Sequence, residues 1–406
     1  MLISVLNQLV SSGTHFFLGL YLVRTLTPAE FGLYGIGFAV CLFYSGIGNA
    51  LFLTQMVVNT PDKLQADQLR YAASMLMVVI LFGAITIFCT WLVFVGGESG
   101  LFWRGDYASF GIAVVAASVS YLLKDFFIRH AYTVRKEAWA LAVSCMVAAT
   151  LAGMLLFEHY SGSVITAERA LWLYAISQLV GAGVGFALAQ LPLSSIAWRH
   201  VQTDFREAWP GGRWAIGGVS VTWAQSQAYM YVTAWFAGPA GVGHANAARL
   251  LVVPITFLVS AIHQVVMPRL AELRTHNRSG MLQVGGVLMI GLLAMAISYS
   301  AVLLSLVDYI ARIVLGSQYE QMFPLAAAWC LVLSLELIRS SAGVLLQVLK
   351  RFRTLTLMNA ASGCVAIASS VALMLIMGVS GAILGTAVGE LILAVLLWKV
   401  VWNERG

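Results

Sequence analysis

The chain has 406 residues, of which 60% are hydrophobic and 10% are charged. A soluble domain carries about 25% charged residues, so this composition excludes a soluble protein and predicts a multi-pass membrane protein. The net charge of +6 does not indicate nucleic-acid binding, because the basic residues fall in short segments between apolar runs.

Apolar runs long enough to cross a bilayer, about 20 residues each, recur along the whole chain. They predict an all-α polytopic membrane protein with about twelve transmembrane helices. The predicted spans are residues 2–23, 31–57, 71–95, 108–128, 138–157, 170–190, 213–236, 246–267, 281–304, 323–347, 355–377 and 382–401.

Lysine and arginine concentrate in alternate segments between the spans, as in the group Arg199, Arg206 and Arg213. Short cytoplasmic loops carry an excess of basic residues. This pattern predicts that both termini are cytoplasmic and that the odd-numbered loops lie outside. The first span does not fit this topology, since no lysine or arginine precedes Arg24.

A short motif repeats along the chain. Pro28, Ala29 and Gly32 recur 211 residues later as Pro239, Ala240 and Gly243, and each set follows the first span of six. The repeat predicts two parallel six-helix halves, residues 1–200 and 201–406, around a central cavity. The boundary is predicted in a basic cytoplasmic loop around residues 191–212. In transporters with repeats of this kind, the substrate path lies between the two halves, and transport occurs as one half tilts against the other.

Basic residues within or near the spans are candidates for binding an anionic substrate, because such groups usually face a cavity or a partner. They are Arg24, Lys124, Arg249 and Arg339. Arg24 could instead cap the end of the first span, and Lys124 could extend to the cytoplasmic interface. Lys124 and its neighbour Asp125 are expected to point in different directions. Arg249 is predicted near a helix N-terminus, where the dipole disfavours a cation, which favours anion binding.

Two glutamates within the spans, Glu336 and Glu390, are candidates for proton coupling. Glu336 is three residues from Arg339, so the two could instead form a self-neutralising pair. Glu390 has no partner nearby in the sequence and could instead lie near the outer interface.

Polar side chains at helical spacing dominate the first span and the seventh. The predicted cavity-lining members are His15, Gln225 and Tyr229, with His263 in the next span. These residues suit a water-filled cavity; hydrogen bonding between helices is the alternative.

Motifs for catalysis are absent from the sequence: it contains no glycine-rich phosphate loop, no histidine pair at metal-binding spacing and no G-x-S-x-G. We therefore predict no enzyme activity, no cofactor and no metal site.

The run from Arg24 to Tyr34, RTLTPAEFGLY, resembles the signature between the first two helices of bacterial polysaccharide-unit flippases. These are the O-antigen and exopolysaccharide (Wzx-type) translocases of the multidrug/oligosaccharidyl-lipid/polysaccharide exporter superfamily. Further stretches that fit the same pattern are GPAGVG at 238–243 with AARL at 247–250, VLGSQY at 314–319 and KRFR at 350–353.

The resemblance implies a MATE-like fold and transport without covalent chemistry. The implied activity is translocation of an undecaprenyl-pyrophosphate-linked oligosaccharide from the cytoplasmic to the outer leaflet of the bacterial inner membrane, for lipopolysaccharide or exopolysaccharide biosynthesis. The implied partners are that lipid-linked oligosaccharide, membrane lipids, and the polysaccharide polymerase and chain-length machinery, with no nucleic acid. One alternative is a cation-coupled multidrug or metabolite antiporter, which would favour an acidic cavity. Another is a membrane scaffold that transports nothing.

Overall fold

The computed structural model describes residues 2–95, 108–193, 196–319, 321–349 and 351–403, which form helices and no strand. The prediction of an all-α protein is confirmed. The helices are α1 Leu2–Thr25, α2 Pro28–Gly48, α3 Thr54–Asn59, α4 Gln65–Val95, α5 Ala108–Thr133, α6 Glu137–Ser161, α7 Ala167–Ala189, α8 Trp198–His276, α9 Arg278–Ser305, α10 Val307–Val314, α11 Phe323–Val348, α12 Phe352–Met377 and α13 Val379–Asn403. A π-helix, Asn49–Leu53, joins α2 to α3, and a 3₁₀ turn, Thr60–Asp62, follows α3.

Within the described residues, ten helices are long and apolar enough to cross a membrane. The polar helix α1 is not one of them, and α8 counts once although it contains two of the predicted spans. These two differences explain why the described residues contain ten candidate spans, whereas the sequence predicts twelve. The chain is therefore a multi-pass membrane protein.

The first turn connects helices α1 and α2, as predicted. Helix α1 ends at Thr25 and α2 begins at Pro28. Proline suits the first helical position, where its missing N–H would have no intrahelical partner. The Thr27 hydroxyl accepts a hydrogen bond from the Glu30 backbone N–H at 3.3 Å, which caps the new helix.

The second copy of the motif differs from the predicted loop between residues 236 and 246. Helix α8 continues through this region, with one break in its dihedral angles at Gly238 (φ 67°, ψ −173°). Glycine adopts positive φ without the penalty that a Cβ imposes, and Pro239 begins the next helical stretch. The predicted break between the two spans is therefore present, but it is a kink between two helices at Gly238 and not a loop over residues 237–245.

The predicted cytoplasmic loop around residues 191–212 is also wrong in part, because α8 begins at Trp198. The buried positions Val201, Asp204, Ala208 and Gly212 recur at helical spacing. Packing of this narrow face stabilises a helix that mean hydropathy does not reveal.

Residues group into two compact units. The first comprises residues 1–17 and 36–220, where α7 packs on α5 and α6, and α4 packs on α5. The second comprises residues 18–35 and 221–406, where α13 packs on α11 and α12, and α9 packs on α11. The halves 1–200 and 201–406 remain a prediction from the repeat. Lys350 of the predicted basic turn lies outside the described residues.

In the second unit, the two copies of the repeated motif contact each other reciprocally. A Cβ at Gly32 would overlap the carbonyl oxygen of Pro239, and a Cβ at Gly243 would overlap the carbonyl oxygen of Pro28. The first turn of α2 and the stretch of α8 after Gly238 therefore cross backbone to backbone. Only glycine permits this approach at the two positions.

The stretch VLGSQY also has a structural role in the second unit. The Gln318 side-chain amide donates hydrogen bonds to the carbonyl oxygens of Val23, at 2.7 Å, and Leu26, at 2.9 Å. The last carbonyls of a helix have no intrahelical partner. Gln318 thus binds the C-terminal end of α1, where we expected Arg24 as a possible cap.

Candidate functional site

A buried polar cluster in the first unit surrounds Lys124 on α5. The Lys124 ammonium group is 4.1 Å from the centroid of the Tyr121 ring and 3.8 Å from the Asp125 carboxylate. Only 4% of Lys124 is exposed. The lysine therefore does not extend to the interface, and the expectation that Lys124 and Asp125 point apart is wrong. The long lysine side chain bends back toward its neighbour.

Asp125 is held by a second residue, on the irregular segment after α2. Asn49 donates its side-chain amide to the other carboxylate oxygen at 2.8 Å. Asn49 is the first residue of the π-helix Asn49–Leu53, a type of helix that often marks functional positions. The Asp125 carboxylate thus contacts both the Lys124 ammonium group and the Asn49 amide.

His15 lies in the same cluster. Its Nε2 is 3.0 Å from the Tyr174 hydroxyl on α7, and its ring lies among those of Phe38, Tyr121 and Tyr174 at centroid distances of 5.7–6.1 Å. A small cavity adjoins the cluster and is lined by Ser11, Thr14, His15, Lys124, Ser144, Val147 and Gln178.

Several buried polar atoms near this cavity have no hydrogen-bond partner among the described residues, including both amide atoms of Gln178 and the Ser144 hydroxyl. Buried polar groups are normally paired with protein or with water. A cavity with such a lining can hold a water molecule or a small polar group.

A second polar cluster, in the second unit, surrounds Arg249. Its guanidinium group donates to the Tyr229 hydroxyl at 3.2 Å, and that hydroxyl donates to the Asn246 side-chain oxygen at 2.8 Å. The guanidinium carbon lies 5.8 Å from the Tyr229 ring centroid and 5.3 Å from that of Trp329 on α11. These distances are within the range of cation–π attraction.

Arg249 carries no ion pair within the described part of the chain. The prediction that it lies near a helix N-terminus is wrong, because the helical stretch begins at Pro239, almost three turns earlier. The aromatic rings fix the guanidinium group. No carboxylate lies at ion-pair distance from it among the described residues, although Glu336 is near enough to attract its positive charge. This arrangement can bind an anion, since guanidinium groups match phosphate oxygens in a two-pronged geometry.

The third cluster joins Arg339 on α11 to two carboxylates. Arg339 forms an ion pair with Glu390 on α13 and another with Glu336, one turn earlier on α11, at 3.6 Å. Glu390 is 7% exposed, and Gln225 donates to it at 3.4 Å. Glu390, which has no charged partner nearby in the sequence, is thus paired with Arg339. Arg339 therefore has carboxylates at ion-pair distance, whereas Arg249 has none among the described residues.

The remaining predicted site residues lie outside these clusters. Arg24 is exposed in the last turn of α1. His263 is half-buried in α8, and its Nε2 has no hydrogen-bond partner in the described chain. Within the described residues of the second unit, neither side chain forms an ion pair with, or a hydrogen bond to, Arg249 or Arg339.

Polar residues of the predicted stripes form hydrogen bonds with other helices. Asn7 donates to Tyr132 on α5 at 2.9 Å, His15 meets Tyr174, and Gln225 meets Glu390. Such bonds between helices are what we gave as the alternative to a water-filled cavity.

Sequence reasoning missed the residues that position the charged groups: Asn49, Tyr121, Tyr174, Gln178, Asn246 and Trp329. One signal existed for Asn246 and Tyr121. Each lies three residues from a predicted basic residue, a spacing at which helical side chains meet. The others come from distant parts of the chain.

No protein-family model matches the sequence, and none of the curated proteins matches it. Solved structures do match. The lipid II flippase MurJ, in an inward closed conformation, has a TM-score of 0.74 and 13% identity, over 99% of this chain and 88% of MurJ. A multidrug resistance MATE family transporter of the MOP superfamily, in an inward-facing conformation, has a TM-score of 0.73 and 11% identity, over 99% of this chain and 94% of that one.

A third match is a MOP superfamily transporter from Pyrococcus furiosus Vc1 described as having a binding pocket of reverse polarity. Its TM-score is 0.67 at 12% identity, over 99% of this chain and 94% of that one. At these identities the likeness shows the fold alone. The predicted MATE-like fold is confirmed.

Proposed function

We propose that this protein is a flippase for an anionic lipid-linked oligosaccharide. The substrate is an undecaprenyl-pyrophosphate-linked repeat unit, moved from the cytoplasmic to the outer leaflet by alternating access, without covalent chemistry. In this proposal the pyrophosphate binds to basic side chains and the polyprenyl chain stays in the bilayer. The product feeds lipopolysaccharide or exopolysaccharide synthesis at the bacterial inner membrane, with the polymerase and chain-length machinery as partners.

The observation that carries the proposal is that Arg249 has no carboxylate at ion-pair distance among the described residues. A cation within a membrane-spanning helix is costly and usually faces a partner or a cavity. Arg249 has aromatic rings and a tyrosine hydroxyl around it and no carboxylate at ion-pair distance in the described chain. A phosphate group would supply the counter-charge at contact distance that Arg249 does not have in the described chain. Arg339 and Lys124 already have carboxylates, so they are weaker candidates for the same role.

Two further points support the proposal. The fold is shared with MurJ, which is named as a lipid II flippase, so this scaffold accommodates a lipid-linked substrate in at least one protein. The stretch from Arg24 to Tyr34 resembles the polysaccharide-unit flippases. In this proposal Arg24, which is exposed in the last turn of α1 at the predicted outer end of that helix, meets the anion late in the transport cycle.

The first test measures binding of undecaprenyl pyrophosphate to the purified chain. A hydrogen bond to a charged group contributes roughly 1.5–3 kcal/mol, so Arg249→Gln should weaken binding at least tenfold. The matched control is Arg312→Gln, which removes an exposed arginine in α10 and should bind as the unmodified chain does. Undecaprenol, which lacks the pyrophosphate, should not distinguish Arg249→Gln from the unmodified protein.

Transport is then measured in proteoliposomes, as appearance of an undecaprenyl-pyrophosphate-linked sugar in the opposite leaflet. Arg249→Gln should lose translocation, and Arg249→Lys should retain part of it because the charge remains. Translocation by Arg249→Gln at the rate of the unmodified chain would refute the proposed role of this residue.

A second candidate function, a cation-coupled multidrug or metabolite antiporter, is favoured by the cluster around Arg339. Two carboxylates, Glu390 and Glu336, form ion pairs with one guanidinium group. Such a cluster can exchange a proton or a cation. The fold is also that of a multidrug resistance MATE transporter.

The two functions separate in proteoliposomes with an imposed proton gradient. An antiporter would accumulate a cationic dye, and Glu390→Gln would abolish the accumulation. A flippase would move the lipid-linked sugar without moving the dye. If collapse of the gradient leaves lipid transport unchanged, Glu336 and Glu390 do not couple it to protons.

A further inference from the structure

The first turns of α8, residues 198–213, form an amphipathic segment that precedes the membrane-crossing part of that helix, 215–259. Val201 and Ala208 belong to the hydrophobic core of the first unit. The opposite face is exposed and carries Trp198, Arg199, Arg206 and Trp209. We call these four residues the arginine–tryptophan face.

The acidic residues of this segment are engaged with the first unit. Asp204 is 3% exposed and lies 3.6 Å from Arg70. Glu207 forms an ion pair with Lys63 at 2.6 Å. These contacts compensate both carboxylates within the protein. The charge that the segment presents outward is therefore positive.

Spacing places the two arginines on one line. Arg199 and Arg206 are seven residues apart, two helical turns, so their side chains project in nearly the same direction. Trp198 and Trp209 are eleven residues apart, about three turns, and are 58% and 42% exposed. The four side chains thus form a continuous strip on one side of the helix.

The contacts of the segment place it at the level of a membrane surface. Gly211 and Gly212 lie against Gln55 and Leu51, near the end of the candidate span 28–59. Arg70, the partner of Asp204, lies at the start of the candidate span 67–88. Two spans therefore end beside the segment. Tryptophan is enriched at this level of the bilayer, where its ring meets both apolar and polar surroundings.

We propose that the arginine–tryptophan face binds the headgroups of anionic phospholipids. The guanidinium groups of Arg199 and Arg206 bind the phosphate oxygens, and the indole rings lie at the boundary with the acyl chains. A basic helix with aromatic residues lying in an anionic surface is stabilised both by charge and by buried apolar area. This site is separate from Arg249, and the proposal does not rest on the proposed function.

The test uses the full-length chain in detergent, titrated with phosphatidylglycerol or with phosphatidylcholine, and native mass spectrometry to count bound lipid. The unmodified chain should prefer phosphatidylglycerol. The double variant Arg199→Gln/Arg206→Gln should bind phosphatidylglycerol about tenfold more weakly or worse, since each arginine near an anionic surface contributes several-fold. Binding of phosphatidylcholine should not change.

The matched control is Arg269→Gln/Arg353→Gln, which removes two exposed arginines from other segments and the same net charge. It should keep the preference for phosphatidylglycerol. The melting temperatures of both double variants verify that they fold. A preference that survives in the first variant, or that falls equally in the control, would overturn the proposal. In either case, the face is open to a partner other than lipid.

Discussion

Replacing Gly32 by alanine would place a methyl group inside the crossing of the two motif copies. The new Cβ would lie 2.7 Å from the Pro239 carbonyl carbon and 2.8 Å from the Gly243 nitrogen, whereas ordinary contact begins near 3.4 Å. These two atoms must therefore move by about 0.6–0.7 Å, and the Pro239 carbonyl oxygen, which the new Cβ would overlap, must move further. They belong to helix backbone, which cannot rotate away as a side chain can, so the two helical stretches must separate.

The expected loss of stability follows from this separation. Overpacking typically costs 1–3 kcal/mol, and alanine recovers up to about 1 kcal/mol through its helix propensity. Because the overlap is with backbone, we take the upper end of that range, so the net loss is about 2 kcal/mol. For a chain of 406 residues that unfolds as one unit, this corresponds to a fall in melting temperature of roughly 2–3 °C. The assay is thermal unfolding of the detergent-purified chain, followed by size-exclusion chromatography.

Gly291→Ala is the matched control, because Gly291 lies inside α9 and a Cβ there meets no atom within 4 Å. Its melting temperature should stay the same or rise. The double variant Gly32→Ala/Gly243→Ala should lose less than the sum of the single variants, since one separation relieves both overlaps. A Gly32→Ala protein as stable as Gly291→Ala would refute the backbone crossing.

Two further predictions concern contacts in the second unit. Arg339→Met leaves Glu390 buried without its cation and should cost about 3 kcal/mol, whereas Arg339→Met/Glu390→Leu should recover most of that loss. Thermal unfolding measures both, and a double variant as unstable as the single one would contradict the pairing. Gln318→Ala removes two hydrogen bonds from the end of α1 and should cost about 1–2 kcal/mol. Hydrogen exchange in residues 18–30 should rise for Gln318→Ala and not for Ser317→Ala, and equal exchange in the two variants would contradict the cap.

The sequence predicts the helices well where each one is apolar throughout. A bilayer selects long apolar runs, so hydropathy alone gives most of their bounds. It fails at residues 198–212, where burial of a narrow face and two ion pairs stabilise a polar helix. At Gly238 the sequence predicts the break between two spans but gives it as a loop, whereas the structure makes it as a kink at a single glycine.

Contacts between charged groups could be predicted only at short range. Glu336 and Arg339 are one helical turn apart, and their pairing follows from that spacing. Glu390 lies 51 residues from Arg339, and Trp329 lies 80 residues from Arg249 in the sequence. Such partners are set by how helices pack, which the periodicity of one helix does not reveal. For this reason, the sequence alone could not show that Arg339 has carboxylates at ion-pair distance and that Arg249 has none in the described chain.

The reciprocal contact of Gly32 with Pro239 and of Gly243 with Pro28 has the form of an isologous interface. In a twofold homodimer, residue i of one subunit touches residue j of the other, and j touches i. Here both partners lie on one chain, and the two positions play equivalent parts. The equivalence of the pentapeptides PAEFG at 28–32 and PAGVG at 239–243 is confined to their glycines and proline carbonyls. A Cβ at Gly241, which corresponds to Glu30 in the repeat, would lie 2.6 Å from the Ala237 Cβ, so the two segments are alike in the crossing and different around it.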